Sequence, residues 1–231
     1  MRICASAGAG RRLIGIGVAL GTVLGSGALA AGAPAATLSV NKACYVRTAK
    51  KPPTMVLSGA GFTPGSMVLV SSDDGSVATQ AAVNPAGAFR LATSAPTPFF
   101  SSPGQKTVTL TASDGVVQAT AAAAVAPLGV FHGSTKKQPG LRALSEKTNW
   151  SFSGFTPGKF IYGHYTIAGK QVTRTKFGRA SGPCGLLKTR AKLFPAAPHH
   201  KSYPVQWDSS KRYSERTKPK ISGRVSLMTV L

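Results

Sequence analysis

The sequence predicts an all-β protein, and three observations lead to that prediction. A sequence motif, which we call the repeated phrase, occurs twice. Ser58–Gly65 reads Ser-Gly-Ala-Gly-Phe-Thr-Pro-Gly, and Ser153–Gly158 repeats it in shortened form. The two phrase phenylalanines, Phe62 and Phe155, are 93 residues apart, close to the ~100 residues of one immunoglobulin-like sandwich. Short apolar runs alternate with turn signals, and no helical period is present. We therefore expect two tandem immunoglobulin-like β-sandwiches, in which each phrase forms the corner between the second and third strands.

The first 36 residues have the features of an export signal. Three arginines accompany an apolar, uncharged run over residues 13–31, and small residues suited to a signal peptidase follow. We expect residues 1–36 to be a signal peptide, cleaved after Ala30 or Ala35. The alternative is an uncleaved membrane anchor, since the run approaches the ~20 residues that span a bilayer; the membrane would then be contacted only through this segment. Arg11-Arg12 leaves twin-arginine export open.

Residues 37–126 are predicted to form the first sandwich. The expected strands are Thr37–Val40, Tyr45–Arg47, Met55–Ser58, Ser66–Ser71, Val77–Val83, Ala88–Thr93, Lys106–Ala112 and Val116–Ala126. Asp74-Gly75 and Asp114-Gly115 each predict a tight hairpin whose two central residues have positive φ. The prolines between residues 96 and 103 predict a loop, because proline cannot donate to a β-ladder.

Residues 127–147, with several glycines, prolines and lysines, are predicted to be a linker and entry segment, and residues 148–231 a second sandwich. The expected strands are Thr148–Phe155, Phe160–Ile167, Lys170–Phe177, Cys184–Phe194, Tyr203–Trp207 and Ile221–Leu231. Alternation places Trp150 and Phe152 on one face, where we expect them to be buried. Lys211–Lys220 has five basic residues in ten and a proline, which predicts an exposed loop or strand edge.

Charge is distributed unevenly along the chain. Residues 37–126 carry six Lys/Arg and three Asp, a net +3, whereas residues 127–231 carry 19 Lys/Arg and three acidic residues, a net +16. Such asymmetry indicates an anionic partner for the second half; the alternative is a solvated basic surface with no specific ligand. The candidate polyanion-binding residues are Lys188, Arg190, Lys192, Lys211, Arg212, Arg216, Lys218 and Lys220.

Two cysteines, Cys44 and Cys184, remain after Cys4 leaves with the signal peptide. An even number in an exported chain favours one disulfide. It would close a long loop and fix the angle between the two domains. Separate free thiols and an intermolecular bridge are the alternatives.

Four short motifs add to the strand pattern. They are the doubled Gly-Phe-Thr-Pro-Gly, Cys44-Tyr45, Gly182–Gly185 and the run Val205–Ser214. Together they resemble exported two-domain immunoglobulin-like proteins of high-GC actinobacteria, over most of the chain that follows the signal. The resemblance implies the fold and the export route, and suggests that Cys44 and Cys184 belong together. It brings no activity and no ligand.

Candidate catalytic and metal-binding residues have simpler structural interpretations. Asp73-Asp74 lies in a predicted hairpin, where Asp is expected for turn geometry rather than for hydrolysis by paired carboxylates. Cys184 and His164 could form a nucleophile pair, but an exported cysteine is more often bridged. His199-His200 could bind a metal with His132 or His164, yet adjacent histidines on an extended segment point to opposite sides. We expect no catalytic residue, metal or cofactor.

The sequence therefore predicts a non-enzymatic secreted or cell-surface module whose second domain contacts an anionic polymer. Teichoic acid, another envelope glycan and extracellular nucleic acid all carry suitable charge. A structural or protein-adhesive pair of domains, in which charge serves only solubility, is the second hypothesis. An enzyme that uses Cys184 or the histidines is the third.

Overall fold

The computed structural model describes residues 35–48, 52–133 and 140–226, which form an all-β architecture with one short 3-10 helix. Two separate hydrophobic cores lie between pairs of sheets. We call the sandwich of residues 35–127 the first lobe and that of residues 128–226 the second lobe. The predicted signal peptide falls almost entirely on residues 1–34, outside the described residues. Within the described ranges, no helix has the length and apolarity that crossing a bilayer requires.

Eight strands build the first lobe. They are β1 (Thr37–Val40), β2 (Tyr45–Arg47), β3 (Thr54–Ala60), β4 (Met67–Ser72), β5 (Ala78–Ala82), β6 (Phe89–Ser94), β7 (Lys106–Ser113) and β8 (Gln118–Pro127). One sheet has the order β1-β3-β6, and the other has the order β2-β8-β7-β4-β5. Buried residues, most of them apolar, alternate with more exposed ones along β3, β4 and β7. This alternation is what a two-layer sandwich requires.

Seven strands build the second lobe. They are β9 (Gly129–His132), β10 (Lys147–Ser153), β11 (Phe160–Ile167), β12 (Lys170–Arg179), β13 (Leu187–Lys192), β14 (Ser202–Asp208) and β15 (Lys220–Ser226). The sheets have the orders β13-β10-β9 and β12-β11-β14-β15. The segment predicted as a linker thus contains β9 and the 3-10 helix Gly140–Ser145. β9 pairs with β10, and its Val130 packs against the second core. These two contacts stabilise β9 as a strand.

The two lobes share one strand order, which confirms the predicted sandwich fold. Strands β1-β3-β6 correspond to β9-β10-β13, and β8-β7-β4-β5 correspond to β15-β14-β11-β12. The first lobe adds a parallel edge strand, β2, beside β8, which has no counterpart among the described residues of the second lobe. In both lobes the repeated phrase joins the second strand of this pattern to the third, as the sequence predicts.

Each repeated phrase is anchored by the same backbone hydrogen bonds. The amide of Gly65 donates to the carbonyl of Val83 at 3.2 Å, and the amide of Gly158 donates to that of Ala180 at 2.8 Å. The phrase phenylalanines are both buried in their cores. The corner is therefore a docking point for the turn that leads to β6 or β13, as well as a connection between strands.

A glycine in the facing turn allows this docking. A Cβ atom at Gly87 would lie 2.7 Å from the carbonyl oxygen of Phe62, and one at Gly185 would lie 1.7 Å from that of Phe155. Both glycines have positive φ, 73° and 59°. Any other residue would push the turn away from the corner.

The second core is built from closely packed aromatic rings, most of them tilted against each other. Trp150 and Phe152 are 1% and 2% exposed, which confirms their predicted burial. The ring of Phe177 lies 4.8 Å from each of them. Trp207 fits beside Gly223, where a Cβ atom would come within 2.9 Å of the indole. Aromatic pairs at these separations add to the stabilisation from burial.

The disulfide between Cys44 and Cys184 is present and joins the two lobes. Cys44 precedes β2 in the first lobe, and Cys184 lies in the turn that faces the second repeated phrase. The amide of Gly154 donates to the carbonyl of Cys184 at 2.9 Å. A Cβ atom at Gly154 would come within 2.7 Å of the side chain of Val46. The repeated phrase of the second lobe thus takes part in the junction.

Two predicted hairpins differ from expectation. Gly75 and Gly115 have φ of 70° and 88°, but the preceding aspartates do not have positive φ. The carboxylate of Asp74 instead accepts hydrogen bonds from both neighbouring serine hydroxyls, so side-chain acceptance shapes a longer turn. The hairpin with two positive-φ residues lies at Ala168-Gly169, with φ of 47° and 76°.

We expect Gly185→Ala to destabilise the second lobe more than Gly182→Ala in the same turn. Both positions have positive φ, which costs an alanine about 1–2 kcal/mol, but only Gly185 faces the Phe155 carbonyl. That overlap should add about 1–3 kcal/mol. Urea unfolding followed by tryptophan fluorescence reports on this lobe, because both tryptophans lie in its core. Equal losses for the two variants would contradict the docking role.

Replacing both cysteines by alanine should lower the free energy of unfolding by about 2–5 kcal/mol, because the disulfide restricts the unfolded chain. The same fluorescence titration, with and without a reducing agent, checks this. The reducing agent should destabilise the wild type and leave the double variant unchanged. Peptide mapping should recover Cys44 linked to Cys184, and a wild type insensitive to reduction would be inconsistent with the bridge.

Candidate functional site

The predicted basic residues of the second lobe form two groups. On β13, Lys188, Arg190 and Lys192 are exposed, and the residues between them are half-buried. Lys147 on β10 lies directly opposite Lys192 in the strand register and is also exposed. We call these four outward-facing side chains the basic face.

The second group lies on residues 209–219, the connection from β14 to β15, which we call the basic loop. It carries Lys211, Arg212, Arg216 and Lys218, and Lys220 follows as the first residue of β15. The loop folds over the outer side of the sheet β12-β11-β14-β15. The side-chain amide of Gln206 donates to the carbonyl of Ser214 at 2.8 Å and helps to hold it there.

The eight candidate residues therefore do not form one surface. Three of them lie on β13, and the other five belong to the basic loop and β15, on the opposite layer of the sandwich. The two layers of a sandwich turn their outer sides in opposite directions. Their role in polyanion binding stays a prediction, and it now concerns two separate candidate surfaces.

Acidic side chains do not neutralise these cations. Residues 140–226 contain 17 Lys/Arg and only three acidic residues, Glu146, Asp208 and Glu215. Over the part of the chain that the structure describes, the only side-chain ion pair is that of His164 with Asp208. No described lysine or arginine is therefore ion-paired, and the positive potential of the lobe extends into the solvent.

Three further cations, which the sequence analysis missed, lie over aromatic rings of β11. The Lys176 ammonium and the Arg179 guanidinium are 3.7 Å and 4.7 Å from the ring centre of Phe160. Arg174 lies 5.3 Å from the ring centre of Tyr162. Cation–π contacts hold these charges at the surface. The signal was available, because period two places both rings on one face and the Ala168-Gly169 hairpin brings β12 beside them.

A buried polar cluster beneath the basic loop was also missed. His164 and Asp208 are both completely buried, with His164 Nε2 3.4 Å from Asp208 Oδ1. The Nε2 atom also lies 3.0 Å from the carbonyl of Ser210, and Nδ1 lies 2.9 Å from the amide oxygen of Gln171. Gln206 donates to the other Asp208 oxygen at 2.6 Å. These contacts connect β11, β12, β14 and the basic loop.

The surroundings of His164 favour its protonated form. Burial alone would lower the pKa of His164, but hydrogen bonds to Asp208 and Gln171, and the negative charge of Asp208, raise it above the ordinary histidine value. Both ring nitrogens face acceptor oxygens, and only an imidazolium can donate from both. In this protonated form the cluster is a buried ion pair, and its contacts with Ser210 hold the start of the basic loop.

The alternative chemical sites do not gain support from these positions. The thiol proposed to pair with His164 is absent, because Cys184 is in the disulfide. His132 packs against the ring of Trp150. The backbone amides of His199 and His200 both donate to the hydroxyl of Tyr203. In the described ranges, no group of three or more His, Cys, Asp or Glu side chains is placed to hold a metal ion.

Comparisons with known proteins give likenesses of structure only. No protein-family model matches the chain, and comparison with curated protein sequences gives no match. A tetra-tandem repeat from the extending region of a large adhesion protein is 17% identical over 84% of this chain and 49% of its own, with a TM-score of 0.28. This chain thus spans about half of that structure.

Two other solved structures have similar scores. A marsupial T cell receptor is 10% identical over 82% of this chain and all of its own, with a TM-score of 0.28. Bacteroides uniformis β-glucuronidase 3 is 14% identical over 84% of this chain and 25% of its own, with a TM-score of 0.29. Because these scores are low, the fold assignment rests on the strand order of the two lobes themselves.

The raised pKa of His164 predicts a pH-dependent stability of the second lobe. A group whose pKa is higher in the folded state stabilises fully below its unfolded pKa, near 6.5, and this stabilisation is lost as the pH rises through the folded pKa. Urea unfolding followed by tryptophan fluorescence should therefore show stability falling as the pH rises above about 6.5.

His164→Gln should remove most of this slope. It should also cost about 3–5 kcal/mol at pH 6, because Asp208 would be left as a buried charge without its partner. His200→Gln, at an exposed loop position, is the matched control and should keep the slope. A pH dependence that survives in His164→Gln would assign it to another group.

Proposed function

We propose that the chain is a non-enzymatic secreted or cell-surface module whose second lobe contacts an anionic polymer. An envelope polymer such as a teichoic acid or glycan, or extracellular nucleic acid, supplies the required charge. The observation that supports this proposal is the combination of 17 basic residues within residues 140–226 with the absence of any lysine or arginine ion pair in the described ranges. A polyanion that neutralises such side chains releases condensed counterions, which favours binding.

Export is supported by the disulfide, because such bridges persist in oxidising compartments outside the cytoplasm. The predicted signal peptide and the resemblance to exported actinobacterial proteins agree with it. The non-enzymatic part of the proposal is supported by the state of Cys184 and His164, the two strongest catalytic candidates. Cys184 has no free thiol, and the ring of His164 is enclosed and already bound to protein acceptors.

A protein-adhesive or purely structural pair of lobes is the second candidate, and the first lobe gives an observation in its favour. The outer side of β4 exposes Met67 and Leu69 by 54% and 53%. Their register partners are Ala82, Gln80 and Ser113, so this part of the sheet is uncharged. Such a surface suits contact with a protein better than contact with a polyanion.

We expect the full chain to bind heparin, used as a general polyanion, with an affinity that falls steeply with salt. A binder that makes six to ten ionic contacts loses about 10³–10⁵ in affinity between 50 and 200 mM salt. Reversing Lys211, Arg212, Arg216 and Lys218 to glutamate should weaken the binding and reduce its salt dependence. Heparin chromatography and a titration at several salt concentrations measure both.

The matched control compares equal changes of charge: Arg90→Glu with Lys106→Glu, at exposed positions of the first lobe, should weaken heparin binding much less than Lys211→Glu with Arg212→Glu. Retention that does not depend on salt, or no retention at all, would remove the polyanion proposal. Capture of one protein partner that is unaffected by the loop reversals would favour the adhesive alternative.

A further inference from the structure

We propose that the basic face, together with Phe131, is a binding platform for single-stranded nucleic acid. This inference rests on the proposed function and assigns one class of polyanion, single-stranded nucleic acid, to one of the two candidate surfaces. It separates the basic face from the basic loop, whose cations lie on the other layer of the sandwich. The observation behind it is an exposed aromatic ring in register with the row of cations.

Strand register places Phe131 on the same side of the sheet as the basic face. Phe131 pairs with Ser151 on β10, and Ser151 pairs with Lys188 on β13. The three side chains therefore form one row across the sheet, and about 10 Å separates its two outer strands. Phe131 is 56% exposed. An exposed ring beside unneutralised cations is the combination that binds unpaired bases and their phosphates.

The cations of the basic face are available to phosphates. None of Lys147, Lys188, Arg190 and Lys192 has an ion pair or donates a side-chain hydrogen bond within the residues that the structure describes. On β13 they recur at every second residue, about 6.6–6.8 Å apart. Lys147 and Lys192 are direct cross-strand partners, and like charges at such positions destabilise a sheet. A bound chain of phosphates would relieve that repulsion.

The middle strand completes the surface with uncharged polar groups. Asn149 pairs with Arg190 across the sheet, and Ser151 lies between Phe131 and Lys188. Both side chains can donate and accept hydrogen bonds to sugars and base edges. The nearest acidic residue in sequence, Glu146, has one of its carboxylate oxygens buried. We therefore expect phosphates to follow β13 while one base stacks on Phe131.

This arrangement favours a single strand over a duplex. In a duplex the faces of the bases are stacked on each other, so Phe131 could reach a base only at an end or a break. In a flexible single strand, bases can turn towards the ring while the phosphates stay on the cations. A polymer that has phosphates but no bases would use the cations alone.

The test measures binding of the full chain to a fluorescent 12-residue oligo(dT) by anisotropy at several salt concentrations. Phe131→Ala should weaken binding roughly ten-fold, the order of one lost base stack, and Phe131→Trp should restore it. Binding of an abasic oligomer with the same number of phosphates should be unchanged by Phe131→Ala. A blunt duplex should bind less tightly than the single strand at equal charge.

Two charge reversals of equal size locate the site. Lys188→Glu with Arg190→Glu should reduce oligo(dT) binding and lower its salt slope by about 1.4, since each lost phosphate contact in a single strand contributes about 0.7. Lys211→Glu with Arg212→Glu, on the basic loop, changes the net charge equally and should have a much smaller effect. An equal effect of both pairs would show that overall charge, rather than this face, governs binding.

The outcomes separate the two proposals. If heparin binding persists while Phe131→Ala changes the affinity for neither oligo(dT) nor the abasic oligomer, the nucleic-acid platform would be overturned and the polyanion proposal would stand. Loss of heparin and oligo(dT) binding alike in the wild type would remove both. Because Phe131 is exposed on a short edge strand, Phe131→Ala should leave the tryptophan-monitored unfolding curve unchanged, and Phe131→Trp should keep the same urea midpoint, which checks that each variant is folded.

Discussion

The close approach of a phenylalanine carbonyl to a glycine is the contact on which each lobe depends. In the first lobe the carbonyl of Phe62 meets Gly87, and in the second the carbonyl of Phe155 meets Gly185. The contact fixes where the corner between two sheets meets the turn that enters the next strand. In the second lobe that turn also carries Cys184, so the same contact determines where the disulfide can reach the first lobe. In the second lobe, the same contact therefore determines both the packing of the corner and the position of the disulfide that connects the lobes.

The sequence could predict whatever depends on neighbouring residues. Period-two alternation identified the strand regions and the burial of Trp150 and Phe152, because side chains alternate across a sheet whatever the strand pairs with. It could not identify β9, whose four residues give no clear alternation and whose order comes from pairing with β10. Nor could it divide the basic residues between two surfaces. That division depends on β13 pairing with β10 and β15 pairing with β14, across segments distant in the chain.

The pairing of His164 with Asp208 shows why the second lobe stays so basic on its outside. Three acidic residues are present in residues 140–226, and Asp208 is enclosed with the histidine rather than placed among the lysines. A buried ion pair of this kind adds little net stability compared with an apolar core, but it holds a specific geometry. Here it fixes the start of a loop whose own residues repel each other. The histidine could not be recognised from the sequence, since its partner lies 44 residues away on another strand.

Comparison of the two lobes separates what the fold requires from what each lobe adds. The corner, the strand order and the facing glycine occur in both. The connection between the last two strands differs between the lobes. In the first lobe it consists of residues 114–117, where Asp114 accepts hydrogen bonds from nearby amides. In the second lobe it is the basic loop, residues 209–219. The outer side of β4 exposes the uncharged Met67 and Leu69, whereas its counterpart in the second lobe, β11, has Arg174, Lys176 and Arg179 over its outward-facing rings. Since function resides in sites added to a common fold, positions of this kind, where the shared architecture imposes nothing, are the ones to which our proposal assigns binding by the second lobe.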